Sequence, residues 1–127
     1  RVDRIKCDLL AFLVSERRAG RSVAAYGAAA KGNTLLNFCG VHSDLVAFCC
    51  DANPNKQGLF MPGSHIPVLP PEALRERRPD SVLVLPWNLR HEIATSHAYI
   101  GEWGGRFVVP IPELRVLGPG GSLGGNP

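Results

Sequence analysis

The stretch Gly27-Ala-Ala-Ala-Lys31-Gly32-Asn33-Thr34 sets one cation and two glycines between an apolar run and a helix-like pattern. At a strand-to-helix junction such residues can hold an anion. Glycine lets the backbone approach a ligand, a helix N-terminus presents free amides, and lysine adds a point charge. Two phosphate motifs are near misses. In the P-loop, G-x-x-x-x-G-K-[ST], lysine would stand where this chain has Asn33, and Lys31 comes two places early, so nucleotide hydrolysis is not expected. The dinucleotide pattern G-x-G-x-x-G fails at Ala29 and keeps only Gly32 in place after Gly27. Asp51, at the end of the next apolar run, stands where a ribose-binding acid would sit, although acids close many strands simply because they begin turns well. The same two glycines would equally serve a plain tight turn with Lys31 in solvent.

Two further loops carry polar groups. The run "ANPNKQG" offers Asn53, Lys56, Gln57 and Gly58, and "PWN" offers Pro86, Trp87 and Asn88. Each also has a structural reading: "NPNK" as a turn, Trp87 as packing under the last helix, Asn88 as a helix cap. No catalytic residue is expected, because there is no nucleophile elbow, no H-E-x-x-H and no serine beside a base. Cys7, Cys39, Cys49 and Cys50 form no C-x-x-C pair, and adjacent Cys49 and Cys50 in a strand point to opposite faces. The histidines never stand at ligand spacing with a cysteine, so no metal site is expected. His42, His91 and His97 read as surface or helix-face positions, and His65 as a residue that could line the cleft.

The elements that must position these loops follow from periodicity. Residues 3–19 place Val2, Ile5, Leu9, Phe12 and Leu13 at helical spacing, with Asp3 able to cap the start and Gly20 at the stop. "SVAAYG", ending at Gly27, suits a strand buried on both faces. A second helix runs from Asn33 to Cys39, and "LVAFCCD" (45–51) is a second buried strand. A short extended piece, "HIPVL", precedes a short helix with Pro71 in its first turn. "SVLVLP" (81–86) is the clearest strand, a helix follows over 88–103, and "RFVVPIP" (106–112) is the last strand. Pro110 and Pro112 place that strand at or near an edge. Strands alternating with helices predict a Rossmann-like three-layer α/β sandwich with a mostly parallel sheet of about five strands over residues 1–117. Residues 118–127, rich in glycine and proline, read as a flexible tail.

The chain has 127 residues, 45% of them apolar and 20% charged, with a net charge of +3 that is spread along the sequence. That is one ordinary globular domain, without the basic block that would point to nucleic acid or membrane partners. No apolar run is of membrane-spanning length and no signal peptide is visible, so with unpaired cysteines a reducing, cytoplasmic setting is expected. The start at Arg1 reads like a piece cut from a longer protein.

Taken in order, "AYGAAAKGNTLLNFCG", "DANPNKQGLFMPGSHIPV", "PDSVLVLPWNLRHEI" and "EWGGRFVVPIPEL" resemble the C-terminal domain of nucleotide-sugar C-methyltransferases, from about Ile5 to Val116. The resemblance implies a three-domain enzyme that moves a methyl group from S-adenosylmethionine to a sugar carbon. Its zinc and S-adenosylmethionine sites, and its acid-base residues, would lie in domains upstream, so this chain would carry no cofactor and no catalysis alone. By similarity, this domain helps form the cleft for a nucleotide-linked sugar. The motif positions that match are Gly27, Lys31, Gly32 and Asn33, then Asp51, Asn53, Lys56, Gln57 and Gly58, then Pro86, Trp87 and Asn88. Two other readings compete: an independent domain for NAD, coenzyme A or S-adenosylmethionine, and a purely structural domain.

Overall fold

A computed structural model of the chain describes residues 2–118. Six strands form one sheet in the order β3-β2-β1-β4-β5-β6. The strands are β1 (Val23–Tyr26), β2 (Cys49–Cys50), β3 (Val68–Leu69), β4 (Ser81–Val84), β5 (Arg106–Val109) and β6 (Arg115–Leu117). All neighbours pair in parallel except β5 and β6, which pair antiparallel. The helices are α1 (Val2–Arg18), α2 (Ala30–Cys39), α3 (Ala73–Arg77) and α4 (Arg90–Ser96).

Strand alternation divides the core in two. Val23, Ala25, Cys49, Leu83 and Val108 face Leu9 and Leu13 of α1 and Leu36 of α2. Ala24, Cys50, Val82 and Phe107 face Leu74 of α3, Ile93 of α4 and Ile100 beyond it. Both faces of the sheet are therefore covered, which is why β1 and β4 read as unbroken apolar runs. Cys49 and Cys50 do fall on opposite faces. The chain leaves β1 through α2 on one face and leaves β4 through α4 on the other. This reversal falls at the carboxyl ends of β1 and β4, the position at which sheets of this kind bind ligands.

Closure of the opposite, amino-terminal edge rests on one buried acid. Glu16, at the end of α1, is 3% exposed. Its Oε2 accepts from Arg21 Nε at 2.8 Å, and its Oε1 accepts from Ser81 Oγ and Arg106 Nη2, each at 3.3 Å. Beside it, Asp80 Oδ2 accepts from the Ser22 amide at 2.8 Å. The helix is thus tied to the first residues of both β4 and β5.

Several expectations are corrected. Helix α1 begins at Val2, so Asp3 lies inside its first turn, where a negative charge suits the dipole, rather than at the cap. Helix α2 begins at Ala30, so Lys31, Gly32 and Asn33 belong to its first turn and not to the loop before it. Of 45–51 only Cys49–Cys50 is strand, because the amides of Leu45 and Val46 turn back to the His42 carbonyl at 3.1 Å. Pro71 precedes α3, whose cap position is Glu72. The helix expected over 88–103 is broken into a 3-10 turn at Trp87–Leu89, α4, and a second 3-10 segment at Ala98–Trp103. Asn88 is an exposed member of the first turn and caps nothing; the residue before α4 is Leu89, without a side-chain cap bond. A sixth strand, β6, takes the edge, and Pro110 and Pro112 follow β5 instead of interrupting it, so no ladder bond is lost there. The tail expected from 118 lies, beyond Gly118, outside the described residues.

Candidate functional site

Three segments meet at the carboxyl edge of the sheet: the loop 27–29 with the first turn of α2, the loop 51–58, and the 3-10 turn that follows Pro86. The first is shaped by its glycines. Gly27 has φ +93°, a region side chains rarely adopt, and a Cβ there would collide with the Pro86 ring. Gly32 is buried in α2, where a Cβ would come within 2.5 Å of Leu85 Cβ. These two glycines let the first loop and α2 close against Pro86 and Leu85. Both are contacts within the fold, at positions where the sequence also suggested approach to a ligand.

The second loop braces the first. Asp51 Oδ2 accepts from the Ala28 amide at 2.7 Å, and its Oδ1 accepts from the Asn53 amide at 2.8 Å. Lys56 Nζ donates to the Ala28 carbonyl at 2.9 Å, and Gln57 Nε2 donates to the Asp51 carbonyl at 2.8 Å. Asn53 Oδ1 accepts from the Asn55 amide at 3.0 Å, an Asx-type turn that leaves Asn53 exposed. Beside this loop an open cleft of about 580 Å³ runs between Gln57, Pro70, Glu72 and Arg77. Burial and the neighbouring Asp51 push the Tyr26 hydroxyl above its ordinary range.

At this edge three groups have no hydrogen-bonded side-chain partner among the described residues. Helix α2 starts after Ala29 without a side-chain cap, so its first amides are open to an acceptor. Asn33 Oδ1 is buried and has no hydrogen-bond partner among the described residues. Lys31 is exposed, and its Nζ stands 5.5 Å from the centroid of the Trp87 ring. Trp87 is half-buried and packed against the second core cluster.

The carboxyl edge of the sheet thus gathers Gly27, Lys31, Gly32, Asn33, Asp51, Lys56 and Trp87, with Asn53 and Asn88 exposed beside them. His65 does not line it. That residue precedes β3 in an exposed turn at the other end of the sheet, with φ 58°, next to Gly63, which packs on Asn37 of α2. His97, read as a helix-face residue, is instead half-buried in an aromatic row. Its ring lies 4.7 Å from that of Tyr26, and its Nδ1 is 2.9 Å from Tyr99 Oη. Burial holds the His97 pKa below its ordinary value. No spacing rule links residue 26 to residues 97 and 99; the packing of the segment after α4 against the end of β1 unites them.

Among the described residues no group of three His, Cys, Asp or Glu side chains is placed to hold a metal ion. No helix among them is long and apolar enough to cross a membrane.

Comparison with known proteins agrees with this architecture. The family model described as the C-methyltransferase C-terminal domain matches residues 1–112. The C-methyltransferase NovU of Streptomyces niveus is 44% identical over 104 residues, which cover 82% of this chain and 25% of that protein. The chain therefore spans about a quarter of the length of that relative. Among solved structures, UDP-D-quinovosamine 4-dehydrogenase from Vibrio fischeri is similar with a TM-score of 0.53, over 73% of this chain and 79% of that one, at 17% identity. That likeness speaks for the Rossmann-type fold alone. The motifs at the carboxyl edge and the match over most of the length lead to one assignment: the chain belongs to the family of C-methyltransferase C-terminal domains.

Proposed function

We propose that this chain is the substrate-side domain of an S-adenosylmethionine-dependent C-methyltransferase acting on a nucleotide-linked keto-deoxysugar. It holds the sugar nucleotide and transfers no methyl group alone. S-adenosylmethionine and zinc belong, on this reading, to other parts of the enzyme, and its setting is the cytoplasm.

The observation that carries the reading is a trio of groups at the carboxyl edge: the uncapped start of α2, the Asn33 Oδ1, buried without a hydrogen-bond partner among the described residues, and the exposed Lys31. A buried acceptor without a partner costs about 1–3 kcal/mol, which a donor hydroxyl of a sugar would relieve. Free amides and a lysine suit a diphosphate. A sugar nucleotide supplies both kinds of group on one molecule. An NAD reading would ask Asp51 to receive a ribose, but its two oxygens already hold the Ala28 and Asn53 amides, which favours the sugar-nucleotide reading.

The test is calorimetric titration of thymidine diphosphate into the chain and into its Lys31→Ala variant. A charge-assisted bond of about 1.5–3 kcal/mol, reduced by exposure, predicts roughly tenfold weaker binding for the variant. Equal affinities would leave the loop as a turn. Incubation with labelled S-adenosylmethionine and a keto-sugar nucleotide should yield no methylated product, and turnover would overturn the division of labour.

A further inference from the structure

We infer that Trp87 is a stacking plate for the base of a nucleoside diphosphate, covered by Lys31 until the diphosphate draws that cation away. The inference rests on the sugar-nucleotide reading above and assigns the nucleotide end of that ligand.

Lys31 and Trp87 come from two elements at the carboxyl edge, the first turn of α2 and the 3-10 turn after β4. The Lys31 ammonium stands over the Trp87 ring, 5.5 Å from its centroid. The tryptophan is held firmly. Its amide donates to the Leu85 carbonyl at 2.9 Å, its carbonyl accepts from Arg90 Nη1 at 3.0 Å, and the next-but-one amide, Leu89, donates to Pro86 at 2.8 Å. One side of the side chain packs on the second core cluster. A half-buried ring on a fixed turn is a preorganised surface. The lysine is the opposite case: exposed, on a flexible four-carbon stem, and without an ion pair among the described residues. An exposed cation over a ring is weakly held, so a diphosphate at the start of α2 outcompetes the ring for it. Once the ring is uncovered, a base offers it a π-face of matching size. Trp103 provides an internal control, because its Nε1 donates to the Pro79 carbonyl at 2.9 Å and its ring neighbours are Tyr99 and Arg78.

The chain has two tryptophans, so labelling with 5-fluorotryptophan gives two fluorine resonances, assigned with Trp87→Phe. Thymidine diphosphate should shift the Trp87 resonance and leave that of Trp103 in place. Inorganic pyrophosphate, which removes the lysine but brings no base, should shift it less. Trp87→Leu should weaken thymidine diphosphate about tenfold and leave pyrophosphate unchanged, while Trp87→Phe keeps most of the affinity. Circular dichroism melting establishes that each variant is folded. If thymidine diphosphate binds by calorimetry while the Trp87 resonance stays fixed, the inference falls and the sugar-nucleotide reading stands. It falls likewise if Trp87→Leu weakens both ligands equally, since the ring then acts through the fold. Failure of thymidine diphosphate to bind at all overturns both.

Discussion

The two ends of the sheet use carboxylates in opposite ways. At the amino-terminal edge, Glu16 is buried and joins α1 to Arg21, Ser81 and Arg106, so the acid locks two layers together. At the carboxyl edge, Asp51 is only half-buried and spends its oxygens on backbone amides of two loops, so the acid shapes a surface. The first arrangement satisfies the groups it gathers. The second leaves Asn33 Oδ1 without a hydrogen-bond partner among the described residues, the start of α2 without a side-chain cap, and the Lys31 ammonium over the Trp87 ring. Both ends are braced by side-chain hydrogen bonds, but those at the amino edge tie a helix to strands, while those at the carboxyl edge tie loop to loop.

The sharpest way to break this contrast is to damage the carboxyl edge through its backbone. Gly27→Val adds a side chain at φ +93° and drives it into Pro86. Strain and overpacking together should cost about 4 kcal/mol, read as a lowered urea midpoint. A loss under about 1 kcal/mol would mean that the loop relaxes freely and is no rigid cradle.

The next effect belongs to the other end. Glu16→Ala removes the acceptor for two arginines and Ser81 and should cost about 2 kcal/mol. Both arginines are close to half exposed, 49% and 43%, so their charges regain water and the loss stays below that of a fully buried pair. Thymidine diphosphate affinity should not change. If it did, the two edges would be coupled and the division between them would fail.

The smallest effect concerns pH and lies on the face between the two ends. The folded pKa of His97 is lowered by burial from the ordinary 6.5, so the unfolded chain takes up a proton first as pH falls. His97 therefore contributes stability that is fully present above pH 6.5 and is lost as the pH drops through 6.5 toward the folded value. Urea midpoints measured from pH 7.5 to pH 5 should decline in the wild type, and His97→Gln should flatten that part of the slope. An unchanged slope in the variant would assign the pH dependence to other groups.

Much of the architecture is legible in single segments. The unbroken apolar runs of β1 and β4, the positions of Leu9 and Leu13 in α1, and the opposite faces of Cys49 and Cys50 all follow from local periodicity, because burial on a strand or helix repeats with a fixed period. The ordered motifs also carry the family. Helix ends were less legible. Asn88 has the right type for a cap, yet the turn after Pro86 tightens to 3-10 geometry and moves the start of α4 past it.

Side-chain type and spacing are enough to specify an alternating α/β chain with polar and glycine-rich loops at strand ends, since they set which local backbone is favourable. What those loop residues touch depends on the assembled fold. Asp51 meets the Ala28 amide across 23 residues, and Lys56 meets the Ala28 carbonyl across 28, because β2 lies beside β1 in parallel. Gly32 is required by Leu85 and Gly27 by Pro86, partners brought in by the crossover to β4. The same crossover places Trp87 under Lys31. Such contacts depend on strand order and on the face each helix covers. No local period encodes either, so they appear only when the whole sheet is assembled.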